Sequence, residues 1–244
     1  MRAETVEVHR AAHRFLTRTG WRETWHSFSF GEHYDPANVG FGALLVSNDD
    51  RVRNGTGYDD HPHRDAEIIT WVLAGSLVHQ DSQGHQGIVY PGLVQRLSAG
   101  SGIVHAERND AYRIDPTRAA EPVHFVQMWL RPDESGRPPA YQQREIELDD
   151  LDRNWLPVAS GRHPDAAVTV GSAGSTLWVT RLGPEVVRRL PAGDSLHVYV
   201  ASGDVELESV GRLAAGDAVR LTGAADLLAT GRNAAELLVW ELAA

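Results

Sequence analysis

Cysteine is absent from the 244 residues, which excludes disulfide scaffolds, thiolate metal sites and cysteine nucleophiles. Positive charge is scarce: 23 Lys and Arg stand against 33 Asp and Glu, a formal charge of −10 with the 12 histidines neutral. No basic block offsets this, and a chain of that sign repels phosphate backbones, so no nucleic-acid partner is expected. Long apolar runs are missing too. No stretch approaches 18 apolar residues, and MRAETVEVHR lacks the apolar segment of a signal peptide. The expectation is a soluble cytoplasmic protein with no membrane partner.

What is present reads as strands and turns. FGALLVSN (41–48), EIITWVLA (67–74), SLVHQ (76–80), QGIVY (86–90) and VHFVQMWL (123–130) are short runs rich in β-branched and aromatic residues. Turns at Gly75-Ser76, Asp81–Gly84, Pro91-Gly92 and Gly100–Gly102 separate them. Short strands at about ten-residue spacing with Gly and Pro turns predict an all-β sandwich or barrel. The segment RPDESGRPP (131–139), with three prolines and a glycine, is the best linker candidate.

Beyond it the β pattern returns, and the two halves echo each other. VLAGSLVHQD matches YVASGDVELES, YPGLVQRLSAGSG matches AAGDAVRLTGAAD, and VHFVQMWL matches AELLVWELA, all in the same order. The separation falls from 128 residues between Gly75 and Gly203 to 111 between Trp129 and Trp240, so the connecting loops differ in length. This is read as a degenerate internal repeat forming two similar β-barrels side by side, residues 1–135 and 145–244. Open edges satisfied within one chain make a monomer plausible.

The chemistry is concentrated in the first copy. His61-Pro62-His63 places two imidazoles at i and i+2, which on extended backbone leave the same face. Pro62 biases His61 toward that conformation. His105-Ala106-Glu107 repeats the device with an imidazole and a carboxylate. Two such pairs on neighbouring strands converge four donors on one interior point, a set suited to Fe(II), Mn, Ni, Co or Zn and poorly matched to Ca. Glu67, four residues after His63, competes with Glu107 as the carboxylate ligand, and spacing alone leaves both readings open.

Residues 55–75, GTGYDDHPHRDAEIITWVLAG, resemble the first cupin motif: glycine, five residues, His-x-His, three residues, glutamate, and a glycine close behind. More narrowly, WHSFSFGEHYDPANVGFGALLVSNDDRV (25–52), HPHRDAEIITWVLAGSLVHQDSQG (61–84) and YPGLVQRLSAGSGIVHAERN (90–109) resemble the pirin family of bicupins. The likeness covers nearly the whole first half and thins over residues 145–244. It implies two tandem jelly-roll barrels, the first holding one divalent metal on His61, His63, His105 and Glu107. Iron(II) comes first, with Mn, Ni, Co, Zn or Cu as alternatives. The second barrel, where His197-Val198-Tyr199 is the nearest approach to a ligand pair, is expected to be metal-free.

Bacterial members with this pattern resemble quercetin 2,3-dioxygenases, which open the central ring of a flavonol with O2 and release carbon monoxide. The eukaryotic namesake resembles a metal-dependent transcriptional co-regulator, so a metal- or redox-responsive protein-binding module is the alternative. In the dioxygenase reading Glu107 is also the catalytic base for the flavonol hydroxyl, its plainer role being charge balance. Asp59, Asp60, Asp65 and Glu67 are candidates to orient the ligands, and His79 is expected not to be a metal ligand itself. Phe28, Phe30, Phe41, Trp71, Met128 and Trp129 are candidate pocket walls. His33 and Tyr34 are candidates for the mouth, and Asn109 for a substrate contact or a turn.

Overall fold

Alternation along Val123–Leu130 determines how the molecule is layered. Val126 and Met128 leave one face of this strand and Phe125, Gln127 and Trp129 the other; all but half-buried Trp129 are buried. A strand covered on both faces must lie between two packed layers. The computed structural model, which describes residues 5–223 and 226–243, shows this arrangement in duplicate.

The first half is a seven-stranded sheet facing a four-stranded one. The large sheet runs Ala140–Glu145, Leu93–Ser98, Glu67–Ala74, Val123–Leu130, Leu44–Val52, Arg22–His26, Phe15–Arg18. The small sheet runs Gly57–His63, Ile103–Arg108, Leu77–Asp81, Gln86–Val89. The second half repeats the plan. Its large sheet runs Thr5–His9, Ala218–Thr222, Ser195–Ser202, Ala235–Leu242, Ser175–Leu182, Leu156–Ser160, Val168–Thr169. Its small sheet runs Val187–Arg189, Leu228–Gly231, Asp204–Leu207, Gly211–Ala214. Equivalent hairpins turn at Gly75 (φ +74°) and Gly203 (φ +72°), where a Cβ would lie 2.8 Å from the Pro122 carbonyl oxygen and 2.1 Å from that of Ala234. Left-handed backbone and close approach together require glycine at both turns.

The expected closed jelly-roll barrels are not formed. Each half is an open two-sheet arrangement, and among the described residues no hydrogen-bonded ladder joins a seven-stranded sheet to a four-stranded one. The physical reason lies at the edges. Strand alternation specifies a buried face but is silent on whether outer strands meet to close a barrel. Here one edge of each large sheet is occupied by a strand from elsewhere in the chain. Thr5–His9, inside the 1–135 segment, pairs antiparallel with Ala218–Thr222 of the second half. Ala140–Glu145, just past the proline-rich segment, pairs with Leu93–Ser98 of the first. The N-terminal strand therefore ties the two halves together.

The two large sheets pack back to back. Leu44, Ile69, Trp71, Val126, Met128 and Leu130 meet Leu177, Val179, Tyr199, Leu238 and Trp240 in one continuous apolar cluster. Polar bonds cross it as well: the Trp71 indole donates to Glu236 Oε1 at 2.7 Å, and Arg181 holds the other oxygen at 2.7 Å. No helix among the described residues is long and apolar enough to cross a membrane. Replacing Trp71 by Phe removes the one donor that Glu236 Oε1 has among the described residues. Denaturant unfolding is expected to show a loss of about 1–3 kcal/mol, and an unchanged midpoint would show that this bond does not stabilise the packed halves.

Candidate metal centre

The ladder between Gly57–His63 and Ile103–Arg108 assembles the centre. In this antiparallel pair His61 stands opposite His105 and His63 opposite Ile103. An irregularity between His105 and Glu107 brings Glu107 opposite Tyr58. Ring centroids of His61 and His105 are 4.4 Å apart, those of His63 and His105 4.8 Å, and those of His61 and His63 4.9 Å. One ligand atom from each of the three lies within 4.8 Å of the others. Glu107 belongs to a second, overlapping group with His105 and His79 at the same spacing.

Hydrogen bonding leaves the inward lone pairs free. His61 Nδ1 donates to the Asp59 carbonyl at 2.7 Å, directing Nε2 to the centre. Gln127 Nε2 donates to Glu107 Oε2 at 2.7 Å. Buried and without a hydrogen-bond partner among the described residues are His63 Nε2, His105 Nε2 and Glu107 Oε1. A buried acceptor left unpaired costs roughly 1–3 kcal/mol, so three of them around one point are a strained arrangement that a cation relieves. Protonation does not offer the same relief. Burial, reinforced by the neighbouring imidazoles, pushes His63 down to about 4 and His105 to about 3. Both rings are therefore neutral at physiological pH, the form a metal ligand requires. The donors fit a divalent metal of the borderline series, three imidazoles and a carboxylate.

Behind the centre runs a buried polar chain. His105 Nδ1 lies 3.4 Å from His79 Nδ1, His79 Nε2 lies 3.3 Å from Asp81 Oδ2, and Asp81 in turn meets His85 Nδ1 at 3.0 Å. His79 is fully buried within this chain.

Other sequence candidates fall elsewhere. Glu67 accepts from Ser98 Oγ at 2.8 Å and lies against Gly171, away from the three histidines. Asp59 contributes its carbonyl to His61 while its carboxylate pairs with Arg108. Asp60 is exposed, and Asp65 accepts from the Gly136 amide at 2.6 Å. Asn109 donates to the carbonyls of Val52 (3.0 Å) and Glu121 (2.8 Å), which makes it a turn-fixing residue. Phe28, Phe41, Trp71 and Met128 belong to the packing between halves. Trp129 reaches the centre, edge-on to His63 at 4.7 Å, and Phe30 packs on Trp129 at 5.5 Å. His33 stacks on Phe15 at 5.1 Å, and Tyr34 is exposed.

Sequence reasoning missed Gln127, which orients Glu107 and accepts from the Trp129 indole at 3.2 Å. The available signal was a lone amide in the apolar strand VHFVQMWL, on the same face as Phe125 and Trp129. Both metal-capable groups found among the described residues lie in the first half.

The family model described as Pirin matches residues 6–130. A Mycobacterium tuberculosis protein provisionally named a quercetin 2,3-dioxygenase is 49% identical over 239 residues, 98% of this chain and 95% of its own length. The Escherichia coli protein named quercetin 2,3-dioxygenase is 42% identical over 142 residues, 58% of each chain. Among solved structures, the bacterial pirin YhhW of Escherichia coli in complex with nickel(II) superposes with a TM-score of 0.86 at 31% identity, covering 98% of this chain and 99% of that one.

Two outcomes follow from the geometry. Gln127→Leu strips Glu107 Oε2 of its donor, and titration of the protein with metal is expected to show affinity lowered about 10–100-fold. In metal-free protein, His63 and His105 titrate well below the ordinary value of 6.5. The unfolded chain therefore binds more protons between those limits, so their stabilising contribution is complete above pH 6.5 and is lost as pH falls toward 4 and 3. Thermal melts of the His63→Leu/His105→Leu double variant should decline less steeply across pH 6.5–4 than wild type; parallel curves would contradict the neutral-ligand assignment.

Proposed function

The chain belongs to the pirin family, and on that premise we propose that it is a metal-dependent dioxygenase which opens the central ring of a flavonol such as quercetin with O2 and releases carbon monoxide. The observation that carries the reading is the set of three buried, partnerless lone pairs on His63, His105 and Glu107 beneath an aromatic wall of Trp129 and Phe30. His61, His63, His105 and Glu107 would hold the ion, Fe(II) first among Mn, Ni, Co, Zn and Cu. When bound, such a metal supplies positive charge that stabilises an enolate and open positions for exogenous oxygen ligands.

The chain's own residues supply positioning and proton transfer. The imidazoles of His63 and His105, held neutral by burial, keep their lone pairs directed inward, and the Asp59 carbonyl aims His61 the same way. The Gln127 amide holds Glu107 by Oε2, which leaves Oε1 as the basic oxygen. This oxygen is the acceptor for the proton of the flavonol 3-hydroxyl, a transfer that requires an approach of about 2.6–3.2 Å. The indole of Trp129 and the ring of Phe30 offer flat apolar surface to a planar polyphenol. The buried chain through His79 and Asp81 fixes the His105 ring, as carboxylate–histidine pairs do behind metal ligands.

Protein purified without chelators or nickel resin is expected to carry one divalent metal, to shift the absorption of quercetin under anaerobic conditions, and to evolve carbon monoxide when air is admitted. His63→Ala or His105→Ala should lose both metal and turnover. Glu107→Gln is expected to lower kcat about 10²–10⁴-fold if the carboxylate is the base; full-rate turnover with metal retained would end that assignment. Bound metal with no spectral response to quercetin would favour a regulatory protein-binding module instead.

A further inference from the structure

A second concentration of unpaired polar atoms lies away from the metal centre, in a cavity of about 330 Å³ that both halves of the molecule line. His9 comes from the N-terminal strand, Arg14 and Ser27 from the first half, and His197 and Arg220 from the second half's large sheet. His9 Nε2, Arg14 Nε, Ser27 Oγ, both ring nitrogens of His197 and Arg220 Nε are all buried without a hydrogen-bond partner among the described residues. His197 is 1% exposed and Arg220 5%. Each unsatisfied buried donor costs roughly 1–3 kcal/mol, and charged donors cost more, so this is an expensive cavity to maintain empty of acceptors.

The two guanidiniums are fixed by neutral acceptors. Arg220 Nη2 donates to Asn38 Oδ1 at 2.7 Å and to the Ser27 carbonyl at 3.2 Å, and its plane lies 4.4 Å over the Phe28 ring. Arg14 Nη1 donates to the Tyr199 hydroxyl at 2.9 Å, and Nη2 donates to the Trp25 carbonyl. Among the described residues neither forms a direct ion pair with a carboxylate; Asp49 acts on Arg14 across the shared Tyr199 hydroxyl, and Glu7 acts on Arg220 through space. The carboxylates on the cavity wall are otherwise engaged or exposed: Asp35 Oδ1 accepts from the Ala37 amide at 2.9 Å, and Glu7, 63% exposed, lies 3.6 Å from His9 Nε2. Burial lowers Arg220 to about 10, and burial together with the Arg220 charge holds His197 well below its ordinary value. The cavity is thus a locally cationic pocket in a chain whose formal charge is −10.

We propose that this cavity binds a small oxyanion, a carboxylate or phosphate, held between the two halves by the Arg14 and Arg220 guanidiniums, with Ser27 and His197 as neutral donors. Planar guanidinium forks match the paired oxygens of such groups. A ligand here would also bridge the halves, because His197 and Arg220 come from one and Arg14 and Ser27 from the other.

The test uses the metal-loaded protein. Thermal melts and calorimetric titrations are run with inorganic phosphate, acetate and succinate against sodium chloride at matched ionic strength. At least one oxyanion is expected to raise Tm in a saturable manner beyond the chloride control, and the better of the phosphate and carboxylate arms identifies the source. Arg220→Gln should weaken that binding about 30-fold or more, and Arg220→Lys less, with metal content unchanged in both. Constant metal content separates loss of this pocket from coordination of the anion at the metal centre. Ser27→Ala, a small change that leaves the guanidiniums in place, should weaken binding measurably and serves if the Arg220 variants fail to fold. Stabilisation no greater than chloride's would show a cavity filled by water alone, and wild-type binding in Arg14→Lys and Ser27→Ala together would place the anion elsewhere; either result overturns the proposal.

Discussion

The pairing of His61 with His105 across one antiparallel ladder is the constraint on which the centre depends. It sets two i, i+2 pairs facing the same interior and brings three imidazoles together before any other residue takes part. Because burial disfavours the charged form, the His63 and His105 rings remain neutral and ready to coordinate. Gln127 and Trp129, two residues apart on the neighbouring large sheet, then orient Glu107 and wall the pocket. A slip of one residue by either strand of the ladder would send that strand's pair of ligand candidates to the opposite face.

Duplication explains what surrounds this centre. Both halves keep the same strand order and the same hairpin glycines, yet their interiors have diverged. In the second half the space between sheets is filled by Leu182, Leu196, Leu213, Leu221 and Val239, a hydrocarbon core. In the first, polar donors occupy part of the equivalent space. The second half thus contributes scaffold: it covers the back of the large sheet that carries Gln127 and Trp129, and its Glu236 anchors Trp71 through that layer.

Polar groups at the junction between halves tell a related story. Asp49 accepts from the Tyr199 hydroxyl and meets His124 Nε2 at 2.8 Å, while Arg14 donates to that same tyrosine. Arg14 and His124 of the first half are thereby held with Tyr199 of the second at a seam otherwise sealed by apolar packing. Rigidity at such a seam is what allows unpaired donors to persist there, since loosely packed side chains would turn to find water or carbonyl partners.

Much of this was legible without coordinates. Periodicity of two, glycine turns, the echo between halves and the His-x-His and His-x-Glu spacings are local properties, and local sterics transmit them directly into strand, hairpin and side-chain direction. The choice between Glu67 and Glu107 was not local, because it turned on the path of residues 64–66 and on the irregularity after His105. Gln127 escaped notice because its partner is 20 residues away. Barrel closure was misjudged for the same kind of reason: edge pairing is decided between segments as distant as Thr5–His9 and Ala218–Thr222. Sequence alone determined the donor types, their facing directions and the two-copy plan, whereas tertiary structure decided which donors meet, which sheet edges stay open, and that Arg14, His197 and Arg220 share one cavity. The reason is that one residue's backbone geometry governs only its neighbours, while register between remote strands emerges from the packing of the whole.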